Sequence, residues 1–262
     1  MLERLFDVPL WIAGPTIVLA LAAFALCGLR LVRRRVLPRL VISERDSEFS
    51  GSLVQAVMVF YGLAVALIAV SVWQTYADVS TTVSQEAVSI AALYRDVSGY
   101  PDPVRPVLQD DLRTYVRYVI DEAWPAQRRG EIPAGGVGLM DRFEATLFAF
   151  EPATEGQKIL HGETLRAFNE LIEARRLRLD AVGIGLPAVM WLVIVAGAVI
   201  GLSSTFFFRV EDARLHAIQV TLLAVFIGLV IFMIFALDRP FRGDLGLRPE
   251  PYELIYEQLM RR

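Results

Sequence analysis

The sequence predicts an all-α integral membrane fold, with four transmembrane helices in two pairs and a helical soluble domain inserted between the pairs. Three observations carry this prediction. Four runs of close to bilayer-spanning length, about 20 residues, are free of charge: 10–29, 54–73 within a span that reaches 76, 188–208 and 217–237. The composition is 55% hydrophobic with mean hydropathy +0.48, above the roughly 45–50% usual for soluble domains. Between Asp78 and Asp180 the pattern is helical, with no strand-like alternation of useful length.

The first pair occupies 1–77. Leu10 to Leu29 is closed by Arg30, Arg33, Arg34, Arg35 and Arg39. A cleaved signal peptide is the competing reading, but Glu3 and Asp7 flank Arg4 in the leading segment, and arginines stand where a small-residue cleavage site belongs. The second span begins a much longer helix, because Leu63 to Ser98 contains neither Gly nor Pro. At about 1.5 Å per residue such a rod outreaches a hydrocarbon core of about 30 Å. Trp73 and Tyr76 mark its exit at headgroup level. Beyond it, Val79, Val83, Ala87, Ile90, Tyr94 and Val97 share one face.

The inserted domain covers 78–181. Pro101, Pro103 and Pro106 end the rod and open a helix with Val104, Leu108, Leu112, Tyr115 and Val119 inward, as far as Trp124-Pro125. Gly130 to Gly138 reads as a loop. Two amphipathic helices follow, over Leu139–Phe150 and from Gly156 onward with Leu160, Leu165, Phe168 and Ile172 inward. The second pair occupies 182–237. Gly197 and Gly201 in its first span, and Gly62 and Ala66 in the second span of the chain, have the small-xxx-small spacing of close helix packing. A link with Arg209, Glu211, Asp212 and Arg214 leads to the last span, and a tail over 238–262 follows it.

Catalytic and metal chemistry finds little support. His161 and His216 lack a second ligand at metal spacing; His161 reads as a solvated helix residue and His216 as a membrane-edge one. Gly135-Gly136-Val137-Gly138 lacks the Lys-Ser/Thr of a phosphate loop. Asp110-Asp111 and Asp121-Glu122 read as solvated helix charges. No Gly-x-Ser-x-Gly elbow occurs, and single Cys27 permits no intrachain disulfide. With 26 Lys+Arg against 29 Asp+Glu, a nucleic-acid footprint is missing. The expectation is no enzyme, no cofactor and no metal, with the lipid bilayer as the first partner.

Two stretches stand out. Ser71, Gln74, Asp78, Thr81 and Gln85 form a polar stripe opposite the apolar face of the rod. It is either the wet side of an amphipathic helix or, if several rods pack about an axis, the lining of an aqueous path for inorganic ions. Asp238-Arg239-Pro240-Phe241-Arg242-Gly243-Asp244 packs a helix stop, an aromatic anchor and a turn glycine directly after the last span. There Asp238, Pro240, Phe241, Gly243 and Asp244 are the expected means of docking the tail onto the domain.

At these places the sequence resembles the bacterial bestrophin-like membrane family and, more distantly, the bestrophin anion channels. The resemblance rests on Phe60-Tyr61, Trp73-Gln74-x-Tyr76, Ala91-Ala92-Leu93-Tyr94-Arg95 and Leu237-Asp238-Arg239-Pro240-Phe241-x-Gly243. It implies a homo-oligomeric, pentameric ion channel of the bacterial inner membrane whose axial pore is lined by the second-span helix. Asp244 stands alone among Gly243, Leu245 and Gly246 where bestrophins carry an acidic calcium-binding run, so calcium gating is not implied. The apolar neck of those channels has no clear match: Leu63, Val65 and Ile68 are candidates on the same footing as any other apolar residue of the span. The alternative function is a non-conducting, membrane-anchored scaffold or sensor whose domain binds a partner. Orientation has two answers. Arginine counting over Arg30 to Arg45 places that loop in the cytoplasm and the inserted domain outside, whereas the resemblance implies a cytoplasmic domain.

Overall fold

The computed structural model describes residues 8–39, 44–208 and 210–261, with no side chains given for 44–50. Glu3, Arg4, Asp7, Arg209 and part of the Arg30–Arg45 loop therefore lie outside the described residues. The elements are α1 (Leu10–Leu31), α2 (Glu44–Val97), α3 (Val104–Tyr118), α4 (Trp124–Arg128), α5 (Gly135–Phe148), α6 (Glu155–Ala181), α7 (Ala188–Thr205), α8 (Ala213–Leu237) and α9 (Glu250–Ile255). No strand occurs among the described residues. Among the described residues four helices, α1, α2, α7 and α8, are long and apolar enough to cross a membrane.

The chain divides into two compact units. The first comprises Met1–Gln74 and Gly185–Asp238; the second comprises Thr75–Ile184 and Arg239–Arg262. In the first unit α1 packs along α8. A Cβ on Gly228 would lie 3.1 Å from the Cα of Val18, so the two backbones approach closely at this point. Ala25, Leu29, Val65, Ile194, Ala198, Leu202, Phe206 and Ala224 fill the core between these helices. Tyr61 fastens α2 to α7 by donating to the Ile194 carbonyl at 3.0 Å. Such a bond to an exposed lone pair of an intrahelical carbonyl leaves no phenol unsatisfied among apolar neighbours.

The second unit contains the remainder of α2 with α3–α6 and α9, packed around Ile90, Leu93, Leu112, Tyr115, Phe143, Leu171 and Trp124. The helix opened at Val104 does not stop at Trp124-Pro125. Pro125 has no N–H and would crowd the carbonyl four residues back, and a π-turn over Val119–Ala123 widens the helix there before α4 resumes. Nor is 130–138 all loop: α5 starts at Gly135, because the Tyr118 ring lies over Gly135 and Gly136, where added Cβ atoms would come 2.9 and 3.0 Å from it. A capping box starts α6, with Gln157 N donating to Thr154 Oγ1 at 3.2 Å and Thr154 N to Gln157 Oε1 at 3.3 Å.

Candidate functional site

The outer face of α2 is the candidate site. In the first unit Val65 and Val72 turn inward, whereas Leu63 (58% exposed), Leu67 (63%) and Val70 (52%) turn outward together with Ser71 and Gln74. Val65 thus leaves the set of neck candidates, because its side chain fills the core, and Ile68 is half-buried. In the second unit Asp78, Thr81 and Gln85 are exposed on α2, while Val79, Val83, Ala87 and Ile90 are buried on its other side. Residues 63, 67, 70 and 74 in the first unit, and 78, 81 and 85 in the second, follow one another at steps of three and four, the spacing of a helix face within each unit. Thr81 returns its hydroxyl to the Ala77 carbonyl at 3.0 Å, which presents its methyl and a free lone pair outward.

The small-residue positions divide. A Cβ on Gly197 would collide with the Tyr61 ring and one on Gly201 with Met58 Sδ, so both glycines receive side chains of α2. Gly62 has nothing within 4 Å of an added Cβ, and Ala66 is exposed, so neither packs on another helix among the described residues.

The tail residues also divide. Asp238 belongs to the first unit, where its carboxylate accepts from Leu186 N at 2.6 Å and from Trp191 Nε1 at 3.3 Å, holding the residues before and inside the start of α7. In the second unit Pro240 and Phe241 are buried, and Phe241 packs edge-on against Trp124 with ring centroids 5.5 Å apart. Leu247 N donates to the Pro240 carbonyl at 2.8 Å, closing a loop whose turn needs the positive φ of Gly243 (+74°). Trp124 Nε1 donates to Leu247 O, Arg242 to Arg129 O and Tyr76 to Leu245 O. Asp244 is exposed on that loop.

The sequence reading missed the charged centre of the second unit. Arg178 of α6 and Glu86 of α2 are both buried and form a two-pronged pair, Nε to Oε2 at 2.5 Å and Nη2 to Oε1 at 3.1 Å. Tyr115 donates to Glu86 Oε1 at 2.7 Å, Gln127 Oε1 accepts from Arg178 at 2.7 Å, and the guanidinium lies 5.8 Å from the Tyr252 ring centroid. Burial alone would lower the Arg178 pKa, but Glu86 and, beside it, the Tyr252 and Tyr115 phenols together outweigh burial and hold the group above its ordinary value. Burial, reinforced by Glu86, pushes the Tyr115 and Tyr252 phenols well up. A signal existed: Glu86 falls beside Ala87 on the face of Val79, Val83 and Ile90, and Arg178 falls on that of Leu171, Ala174 and Ala181. A charge on an apolar face calls for a buried opposite.

Three other residues behave differently from expectation. Asp111 is not solvated but buried, pairing with Arg142 at 2.6 Å between α3 and α5. His161 is half-buried between the Tyr100 and Phe150 rings, with Nδ1 2.8 Å from the Tyr100 hydroxyl. His216 is buried and bonds the Thr205 carbonyl at 3.1 Å. No group of three His, Cys, Asp or Glu side chains able to hold a metal occurs among the described residues.

Four apolar helices of spanning length joined to a helical domain define a membrane protein. The sequence model of the Bestrophin-like domain matches residues 19–252, and the chain belongs to that family. Solved structures agree in fold. A crystal structure described as a membrane protein superposes with TM-score 0.68 at 10% identity, covering 93% of this chain and 96% of that one. A bacterial bestrophin homolog from Klebsiella pneumoniae superposes with TM-score 0.63 at 11% identity, covering 93% and 96%. A second structure of that homolog, with a different substitution, gives 0.59 at 11%, covering 94% and 98%. No curated protein matches the sequence.

Proposed function

We propose that this chain is the subunit of a homo-oligomeric ion channel of the bacterial inner membrane, five copies by the family resemblance, whose axial pore is lined by α2. One observation carries the reading. In the most apolar stretch of α2 only 6% of residues are buried, against 28%, 22% and 33% in α1, α7 and α8. A helix so uncovered within its own chain has its packing partners elsewhere, and copies of itself supply them at no cost in new sequence. In a ring, Leu63, Leu67 and Val70 form an apolar constriction and Ser71, Gln74, Asp78, Thr81 and Gln85 a hydrated vestibule. Asp78 sets the sign at the wide end: a ring of carboxylates attracts cations and repels anions.

The test is the purified protein reconstituted in bilayers, with its size measured and reversal potentials taken in a salt gradient. A ring that conducts, and in which Asp78→Asn and Asp78→Arg shift the reversal potential progressively toward anions, supports the reading. A monomer, or a conducting protein whose selectivity neither substitution changes, overturns it. A silent oligomer favours the second reading, an anchored scaffold or sensor, for which exposed Phe148 (64%) and Ile159 (70%) of the second unit offer apolar contact to a partner.

A further inference from the structure

In the first unit, the end at which α1 stops and α7 passes over to α8 carries a groove of about 210 Å³. Its walls are mostly apolar, from Phe208, Val210, Val220 and Leu223, with Gln219 and His216 among them. His216 is 3% exposed and its Nε2 lies 3.1 Å from the Thr205 carbonyl. A carbonyl only accepts, so Nε2 carries the proton and Nδ1 remains an acceptor on a residue that lines the groove.

Among the described residues, basic side chains outnumber acidic ones at this end. Arg33 donates to the main-chain carbonyl of Glu211 at 3.2 Å, which fixes its guanidinium next to the α7–α8 connection without neutralising it. Arg30, Arg34 and Arg35 occupy the same end of α1 and are exposed. Of the two acids on the connection, Asp212 caps α8 with its charged carboxylate, accepting from Arg214 N at 2.7 Å and Leu215 N at 3.3 Å. Glu211 is exposed and remains, with Arg214 also exposed nearby in sequence.

An apolar slot with a cationic rim, placed where the apolar runs of α1, α7 and α8 end, lies at headgroup level. We propose that this groove binds an anionic glycerophospholipid, with an acyl chain against Phe208, Val220 and Leu223 and its phosphate on Arg33. Charge complementarity selects the headgroup, since a zwitterionic lipid brings its own cation to the guanidinium. The inference is independent of whether the protein conducts.

The experiment measures thermal unfolding and lipid retention of the full chain in detergent micelles doped with phosphatidylglycerol, phosphatidylcholine or inorganic phosphate. Phosphatidylglycerol is expected to raise the unfolding temperature and to be retained about fivefold better than phosphatidylcholine, and inorganic phosphate to do neither. Arg33→Gln should abolish the headgroup preference, and Leu223→Trp, which fills the slot, should reduce retention of both lipids while leaving Arg33 in place. If Arg33→Gln fails to fold, Leu223→Trp alone decides. Equal retention of the two lipids by the parent protein, or unaltered retention by Leu223→Trp, overturns the proposal. An effect reproduced by inorganic phosphate also overturns it in favour of a free anion.

Discussion

Arg178 and Glu86 meet side by side in the middle of the second unit, both essentially inaccessible to water, and share two hydrogen bonds. Each comes from a different helix, α6 and α2, and each is also held by a neutral neighbour, Gln127 and Tyr115. Without its partner either charge would be stranded in an apolar core.

Substituting only one of the two is therefore expected to be severe. Arg178→Met or Glu86→Leu should each lower stability by about 3–5 kcal/mol, and the double substitution Glu86→Leu/Arg178→Met should recover much of that loss. Chemical unfolding of all the variants in one detergent checks this as a double-mutant cycle.

Alkali should weaken the same region. Burial holds the Tyr115 and Tyr252 phenols above the ordinary value of about 10 in the folded protein. A group whose folded pKa is raised contributes stability in full below its unfolded pKa and loses it as pH climbs toward the folded one. Stability should accordingly be flat below about pH 10 and fall above it, by up to about 1.4 kcal/mol per pH unit for each phenol. Tyr115→Phe should remove part of that slope, as followed by circular dichroism between pH 8 and 12.

The apolar face of α2 yields a conductance prediction that rests on the channel reading. Leu67→Ser places a hydroxyl in the constriction and lowers the cost of wetting it, so single-channel or flux conductance should rise several-fold with little change in reversal potential. Val65→Ser, on the buried side, should instead lower thermal stability.

Two glycines of equal size should respond oppositely. Gly197→Leu meets the Tyr61 ring and should destabilise the fold by about 1–3 kcal/mol through overpacking. Gly62→Leu meets open space within the chain, so the protomer should keep its unfolding midpoint, and only the oligomer size in light scattering should change.

The sequence made the helices legible wherever apolar spacing was long and unbroken: α1, α7 and α8 emerge within a few residues of where hydropathy and glycine-proline punctuation put them, as does the end of α2, whereas α2 begins at Glu44, well ahead of its charge-free run. It was weakest where tertiary contact overrides local preference. Gly135 and Gly136 are poor helix formers, yet the Tyr118 ring needs their bareness and the helix includes them. Pro125 has the look of a terminator until a π-turn makes room for it. Of the site, the outward set Ser71, Gln74, Asp78, Thr81 and Gln85 could be read from the period of α2. The Glu86–Arg178 pair joins positions 92 residues apart, a distance over which one sequence carries no pairing signal. Asp238 shows the same limit: one sequence carries no sign that its carboxylate accepts from Leu186 N and Trp191 Nε1, 52 and 47 residues away.

Tyr61 over Gly197, Met58 over Gly201 and the Tyr61 bond to Ile194 together key α2 to α7 the way a shaft is keyed to its hub. What they fix is azimuth. A helix is free to roll about its own axis unless something indexes it, and a roll of a single residue step, about 100°, would swap outward Leu67 for a neighbour in the sequence. Even the small rotation forced by one methyl group at position 197 would re-aim every outward side chain of the membrane part of α2 at once. On the channel reading, conduction is thus expected to be sensitive to Tyr61, Met58, Gly197 and Gly201, residues that line no path.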